Sequence, residues 1–179
     1  IFVGIFLAFF VCTITMPMKQ LVTDFSIHLE SVITLTKPNY QPEHFLGILG
    51  NNLLVVVGVF FLSVLYRIGG ATLVLSWNAA MWATIFSYFV GMQSMGEGAS
   101  IVSASSFLLA VFPHTLLEAI AYIVAAISGI LLMRNFVRNT VDSATMKPVG
   151  ILFLVAILFV LIGSIAETTW APSALRWLG

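Results

Sequence analysis

The stretch formed by residues 148–166 contains no charged side chain, and almost every residue in it is apolar. As an α-helix it would be about 28 Å long, close to the roughly 30 Å thickness of the hydrocarbon core of a bilayer. The rest of the chain has the same character, because 60% of its 179 residues are hydrophobic and only 8% are charged. A soluble domain carries about 25% charged residues. The sequence therefore predicts an integral membrane protein whose main surroundings are the lipid bilayer.

Apolar runs separated by prolines, glycines and charges divide the chain into about five membrane spans. The first run has no charge before Lys19 and would be only about 24 Å long as a helix, so we expect it to be a span that lacks its start. The predicted fold is a single all-α membrane domain over residues 1–179, a polytopic helix bundle. Its predicted spans are residues 1–16, 45–66, 71–92, 113–133 and 148–166.

Two further segments contain many apolar residues but are not predicted to span the membrane. Residues 18–36 place apolar side chains at steps of three and four, which predicts an amphipathic helix lying on the bundle or against a partner. Residues 100–112 would form a helix of only about 20 Å, too short to cross a bilayer. Pro113 follows at once and begins a better span. We therefore expect residues 100–112 to be a short interfacial or re-entrant helix.

Basic residues predict the orientation of the bundle, because they concentrate on the cytoplasmic side of membrane proteins. Five spans leave four basic residues on one side and three on the other, and three of the four crowd into the connector before the last span. We expect the side with four to be cytoplasmic, which makes the N-terminus cytoplasmic and the C-terminus extracytoplasmic. The four are Arg67, Arg134, Arg138 and Lys147; the three are Lys19, Lys37 and Arg176.

The most conspicuous polar residues within a span are His114 and Glu118. They are four residues apart and so share one helix face, which Tyr122 continues, while bulky aliphatic residues occupy the opposite face. Ionisable side chains in a span are costly and usually face protein or water. The depth of Glu118 is left open: it lies near the headgroups if the helix starts at Pro113, and nearer the midplane if residues 100–112 dip into the bilayer.

Three asparagines extend this polar set. Asn51 and Asn52 lie near the start of the second span, and Asn78 lies midway along the third. An unpaired amide midway along a span would cost several kcal/mol, so Asn78 should have a partner. We expect some of Asn52, Asn78, His114 and Glu118 to form one network between helices. The network fits helix packing best, a proton or substrate path second, and a metal or catalytic site least.

Motifs of enzymes and of nucleic-acid-binding proteins are missing from the sequence. It has no His-Glu-x-x-His, no Gly-x-Ser-x-Gly, no Walker motif and no dinucleotide-binding motif. The formal net charge of zero argues against nucleic-acid binding. The one cysteine, Cys12, can form neither an internal disulfide nor a cysteine metal site. We expect no enzymatic activity, no catalytic residue, no cofactor and no bound metal.

Several landmarks together resemble the stage II sporulation protein M family. One is the pattern Phe-x-x-Ile-x-x-Asn-Asn that ends at Asn52, followed by a glycine-rich turn and Asn78 in mid-helix. Another is the segment from Phe112 to Glu118, which is similar to a Pro-His-Gly-x-x-Glu segment of that family, although Thr115 stands in the place of its glycine. A third is Glu167 with a proline shortly after it. The landmarks occur in the family's order.

This resemblance implies a multi-pass protein of a bacterial or archaeal cell membrane. Family members in sporulating bacteria anchor a peptidoglycan-remodelling complex, and the roles of many other members are undefined. We therefore expect a non-enzymatic scaffold or complex subunit that contacts a protein partner or forms a homo-oligomer. The alternative is a transporter or proton-coupled permease component that uses His114 and Glu118, with Glu167 as a possible addition.

Overall fold

The computed structural model of the chain describes residues 2–24, 42–94 and 104–178, and every regular element in these ranges is an α-helix. Four of the helices contain a stretch long and apolar enough to cross a membrane: Phe45–Tyr66, Ile68–Tyr88, Leu109–Val137 and Ser143–Ala171. The predicted fold class, an all-α membrane helix bundle, is confirmed. The helices are α1 (Phe2–Ile14), α2 (Met18–Asp24), α3 (Pro42–Tyr66), α4 (Ile68–Ser94), α5 (Ala104–Val137) and α6 (Ser143–Leu178).

The N-terminal helices agree with the sequence only in part. Helix α1 has 13 residues and is about 20 Å long, shorter than the hydrocarbon core, so its role as a fifth span stays a prediction. Helix α2 covers the beginning of the predicted amphipathic segment. The rest of that segment, residues 25–36, lies outside the described residues, as do residues 100–103 at the start of the predicted interfacial or re-entrant helix.

The largest difference from the sequence prediction lies at Pro113. Residues 104–112 are not a separate short helix: α5 runs without a break through Pro113 to Val137. A proline inside a helix removes one backbone hydrogen bond, which is the reason for expecting a break. In hydrocarbon, however, backbone groups must bond to one another, and prolines are tolerated inside membrane helices. The two apolar stretches therefore form one helix, in which Leu109–Val137 is long and apolar enough for one crossing.

Both connectors that the structure describes among the long helices are short. Arg67 alone separates α3 from α4 and has a φ of 54°, a left-handed conformation that turns the chain in one residue. Its amide donates to the Ser63 carbonyl at 2.9 Å. Between α5 and α6, Asn139 has a φ of 50°, which asparagine tolerates better than most residues. Helix ends of this kind are common because they satisfy the last free carbonyls.

The described helices divide into two compact units. The first unit contains α1, α2, the part of α4 from Ser76, the part of α5 up to Phe112 and the part of α6 from Thr168. Within it, α1 packs on α4 through a buried hydroxyl pair, in which Thr13 Oγ1 and Ser87 Oγ lie 2.6 Å apart. An edge-to-face contact between Phe6 and Phe86 extends this interface.

The second unit consists of α3, the start of α4, α5 from Pro113 and α6 up to Glu167. Its core is built from small and β-branched side chains with one aromatic ring, so the helices approach closely. The ring of Phe60 on α3 packs on Phe153 of α6 at 4.7 Å between centroids. The core residues are Val56, Val59, Ala121, Tyr122, Ala125, Ala126, Ala156 and Val160.

Pairs of contacts fix the directions of these helices. Ser128 Oγ of α5 donates to the Val149 carbonyl of α6 at 2.8 Å, and Glu118 lies against Gly163 further along α6, so α5 and α6 are antiparallel. On α3, Asn52 contacts Glu118 and Phe60 contacts Gly129, so α3 and α5 are parallel. The C-terminal ends of α3 and α5 and the start of α6 therefore lie at one end of the second unit.

A polar contact among three membrane helices

The polar contact of the second unit is centred on Asn52 of α3. Its side-chain nitrogen, Nδ2, donates to Glu118 Oε1 of α5 at 2.6 Å. Its side-chain oxygen, Oδ1, lies 3.4 Å from the hydroxyl of Tyr122, which donates to it. Asn52 and Tyr122 are both buried, and Glu118 is partly buried. One amide thus uses its donor and its acceptor on two residues that are one helical turn apart on α5.

The third helix, α6, reaches this contact through a glycine. A Cβ atom built on Gly163 would lie 3.4 Å from Cγ of Glu118 and 3.6 Å from the carbonyl oxygen of His114. These distances are ordinary van der Waals contacts, so a Cβ atom would just fit against α5, and small residues of this kind allow membrane helices to approach one another closely. The aliphatic part of Glu118 therefore packs against the backbone of α6, while its carboxyl group faces Asn52.

His114 and Glu167 complete the surroundings. His114 is buried on α5, one turn before Glu118. Glu167 is partly buried on α6, one turn after Gly163, and interacts electrostatically with both Glu118 and Tyr122. Two carboxyl groups from different helices thus lie at the same end of the second unit.

The basic residues of the second unit lie at its other end. Arg134 is four turns beyond Glu118 on α5, about 24 Å along the helix, and Lys147 is about 30 Å from Glu167 along α6. Arg67 and Arg138 belong to the connectors at that same end. The two carboxyl groups within the spans of this unit therefore lie at one end, the carboxyl end, and its basic residues lie at the other, the basic end, where the connector also carries Asp142.

The structure brings three of the residues named from the sequence, Asn52, Glu118 and Tyr122, into hydrogen-bond contact, with His114 and Glu167 beside them. Asn78 belongs to the first unit, so its place in this network stays a prediction. Asn51 is exposed and points about 100° around α3 from the buried Asn52. In the described residues, no three His, Cys, Asp or Glu side chains are grouped so that they could hold a metal ion.

Glycines set the spacing of these helices; sequence reasoning placed Gly129 on the packing face of α5 but missed Gly70 and Gly163. A Cβ on Gly129 of α5 would overlap the carbonyl oxygen of Phe60 on α3, and a Cβ on Gly70 of α4 would overlap that of Leu62. Glycines within apolar stretches are the signal that could have identified these contacts. That signal does not say which glycine faces which helix, because Gly150 and Gly163 stand on the same helix and only Gly163 has a neighbour.

Chemically, the arrangement can do two things. It can fix the positions of α3, α5 and α6, because Asn52 joins two helices and Gly163 admits the third. It also has the groups needed to bind or pass on a proton, since carboxyl and imidazole side chains stand close together in spans.

The helices and this contact define a class of protein: an α-helical integral membrane protein with several spans, whose packing includes ionisable side chains. A family model described as stage II sporulation protein M matches residues 1–172, nearly the whole chain. The chain therefore belongs to the stage II sporulation protein M family, and the resemblance read from its sequence is confirmed. No significant match was found among curated proteins or among solved structures.

Proposed function

We propose that this protein is a non-enzymatic scaffold or subunit of a membrane protein complex in the cell membrane of a bacterium or archaeon. The observation that carries the proposal is the engagement of Glu118 in helix packing. Its carboxyl group accepts from Asn52 on α3, and its aliphatic part lies against Gly163 of α6. A carboxyl group held in this way supports a rigid bundle that can present its surfaces to other proteins.

The orientation belongs to the same proposal. Arg67 and the connector from Arg134 to Lys147 lie at one end of the second unit, because α3 and α5 are parallel and α6 runs back. The basic end should face the cytoplasm, since basic residues are concentrated on that side. The carboxyl end, with Glu118 and Glu167, then lies toward the extracytoplasmic side. The continuity of α5 through Pro113 supports this orientation, because it removes the extra crossing that would reverse it.

The scaffold proposal is tested by the composition of the particle that the protein forms in lipid. The protein is extracted with its native lipids, crosslinked and analysed by native mass spectrometry. We expect a second copy or another membrane protein at fixed stoichiometry, and the same particle from the Glu118→Gln variant, because glutamine still offers an oxygen to Asn52. A wild-type chain that is always alone, with no crosslinked partner, would contradict the proposal.

The second candidate is a transporter or proton-coupled permease component. It is favoured by the interaction between Glu118 and Glu167, two carboxyl groups within spans, with His114 one turn away. Ionisable residues in spans often mark proton and ion pathways. Purified protein in liposomes would be compared with Glu118→Gln under proton and sodium gradients. Flux that depends on Glu118 would favour transport, and the same background leak in both samples would rule this candidate out.

A further inference from the structure

Helix α3 has a second face whose composition is unusual for contact with lipid. The Asn52 side of the helix is buried in the core, together with Val56, Val59 and Ser63. The other side carries residues at alternating steps of four and three, which we call the α3 seam. Five of its members are exposed and Gly58 is partly exposed. The seam consists of Gly47, Asn51, Leu54, Gly58, Phe61 and Leu65.

The spacing of the seam is that of a helix-pairing surface. Steps of four and three average 3.5 residues, the repeat that keeps one line of side chains facing a partner helix in a left-handed pair. Such pairs occur in membranes as well as in water. Most other exposed positions of α3 lie on the same side, and Leu54 at the middle of the seam is 73% exposed. The seam is therefore a complete pairing surface with no partner in the described chain.

Asn51 is the seam residue whose side chain is unfavourable in contact with lipid. It lies about 9 Å inside the span that begins at Phe45, and it makes no hydrogen bond to the part of the chain that the structure describes. An amide facing hydrocarbon without a partner costs several kcal/mol. A polar side chain at one position of a heptad seam also fixes the register and the number of helices that pair.

The glycines of the seam leave room for a close approach. A Cβ atom built on Gly47 or on Gly58 would have no atom within 4 Å. Inside the second unit, Gly129 and Gly163 have the opposite surroundings, because a neighbouring helix fills the space beside each of them. This protein joins its own helices by a glycine together with an amide, and the α3 seam repeats that combination on an open surface.

We propose that the α3 seam binds the α3 seam of a second copy of this protein, with the two helices parallel and Asn51 hydrogen-bonded to Asn51 across a twofold axis. The seam carries no charged side chain that would call for a complementary, different partner. An amide has both a donor and an acceptor, so two identical amides satisfy each other. Copies inserted in the same direction place Asn51 at equal depth, which a twofold interface requires. This inference deepens the proposed function and rests on it.

The test measures dimerisation of the full chain in lipid nanodiscs or vesicles at low protein-to-lipid ratio, by single-molecule photobleaching. We expect wild type to dimerise and Gly58→Leu to be at least about tenfold weaker, because the leucine occupies the line of closest approach. The matched control is Gly150→Leu on α6, where a Cβ also meets nothing within 4 Å. It should dimerise like wild type. Asn51→Leu should weaken the dimer by about three- to tenfold, the loss of one or two interhelical hydrogen bonds.

Disulfide trapping checks the same contact without relying on disruption. Because Cys12 is exposed, the cysteine variants are made in a Cys12→Ser background. Leu54→Cys should form a disulfide-linked dimer on mild oxidation. Leu154→Cys on α6, which is 66% exposed, should not.

The seam proposal would be overturned by a wild-type chain that stays monomeric at high density, or by equal trapping at residues 54 and 154. If such a monomer still forms a fixed complex with another protein, the seam proposal fails while the scaffold proposal stands. If the chain is both monomeric and without any partner, both fail. If the dimer forms and Gly58→Leu has no effect beyond that of Gly150→Leu, a second copy binds elsewhere and the seam assignment is wrong.

Discussion

At the scale of single residues, Asn52 is the side chain on which the polar contact of the second unit depends. Its amide joins Glu118 and Tyr122, which stand on a different helix. Neither an aspartate nor a leucine could do this, because one lacks a donor at neutral pH and the other lacks both groups. The neighbouring Asn51 has the same amide group but is exposed. A shift of one residue along α3 therefore decides whether an asparagine bonds inside the protein or lies on its surface.

The first prediction concerns Glu118. Replacing it with leucine leaves the Asn52 amide nitrogen without its acceptor, and we expect the protein to lose about 1 kcal/mol of unfolding free energy. Glu118→Gln keeps an oxygen in the same place and should cost less than about half of that. Unfolding by denaturing detergent in bicelles measures both. If glutamine destabilises the protein as much as leucine does, the hydrogen bond is not what Glu118 contributes.

At the scale of helices, side chains in and beside the connector form hydrogen bonds at the end of α5 and at the start of α6. The Thr145 amide donates to Asp142 Oδ1 at 2.8 Å, and the Asp142 amide donates to Thr145 Oγ1 at 3.1 Å. This reciprocal pair caps the start of α6. The Nδ2 atom of Asn135, near the end of α5, donates to the Thr145 carbonyl at 3.0 Å and links the two helices.

The second prediction follows from this cap. The hydrogen bonds from Thr145, first that of its amide, lower the pKa of the exposed Asp142 carboxyl group. A lowered pKa means that the cap stabilises the folded state above the carboxyl group's unfolded pKa and weakens as the pH falls through its folded pKa. The protection of the Thr145 amide, measured as its exchange rate relative to the intrinsic rate at the same pH, should therefore fall on acidification in wild type. In Asp142→Ala this protection should be low at every pH.

Asp142→Asn is the control for this prediction. Asparagine also caps helices but does not titrate. Exchange at Thr145 in this variant should follow only the intrinsic pH dependence of amide exchange. An acid-dependent loss of protection equal to that of wild type would show that another group is responsible.

The third prediction concerns the packing of α3 on α5. Gly129→Ala puts a methyl group onto the backbone of Phe60, which must move, and we expect a loss of about 1–3 kcal/mol in unfolding free energy. Gly150→Ala adds the same methyl group to open space and should be neutral or slightly stabilising, since alanine favours helix. Unfolding of both variants in the same bicelles tests the difference. Equal stabilities would mean that α3 and α5 do not approach closely at Gly129.

The elements also show what the sequence could and could not predict. The span in helix α6 was predictable because residues 148–166 are long, apolar and uncharged, and such a stretch is stable as a membrane helix. The continuity of α5 was not, because Pro113 ends helices in water and is accommodated in a bilayer. The pairing of Asn52 with Glu118 was predictable only in part: the second and fourth of five alternating spans run in the same direction, but no local pattern says which amide meets which carboxyl group.

At the scale of the whole molecule, charge is separated along the spans of the second unit. The fourth prediction is that the basic end faces the cytoplasm. In a Cys12→Ser background, Thr140→Cys in the connector should react with a membrane-impermeant maleimide only after the cells are permeabilised. Trp170→Cys, at the other end of the α6 span, should react in intact cells. Labelling of residue 140 in intact cells would contradict the proposed orientation.

Only one residue connects α3 to α4, so the number of residues in this connector determines which faces of the two helices meet. One added or deleted residue at Arg67 would rotate α4 by about 100° relative to α3, a helix step per residue. Gly70 would then leave the Leu62 carbonyl, and a residue with a side chain would take its place. Relatives should therefore differ in length in the connector around Asn139 and rarely at Arg67, and an epitope or reporter inserted after Arg67 should loosen the close contact between Gly70 and Leu62.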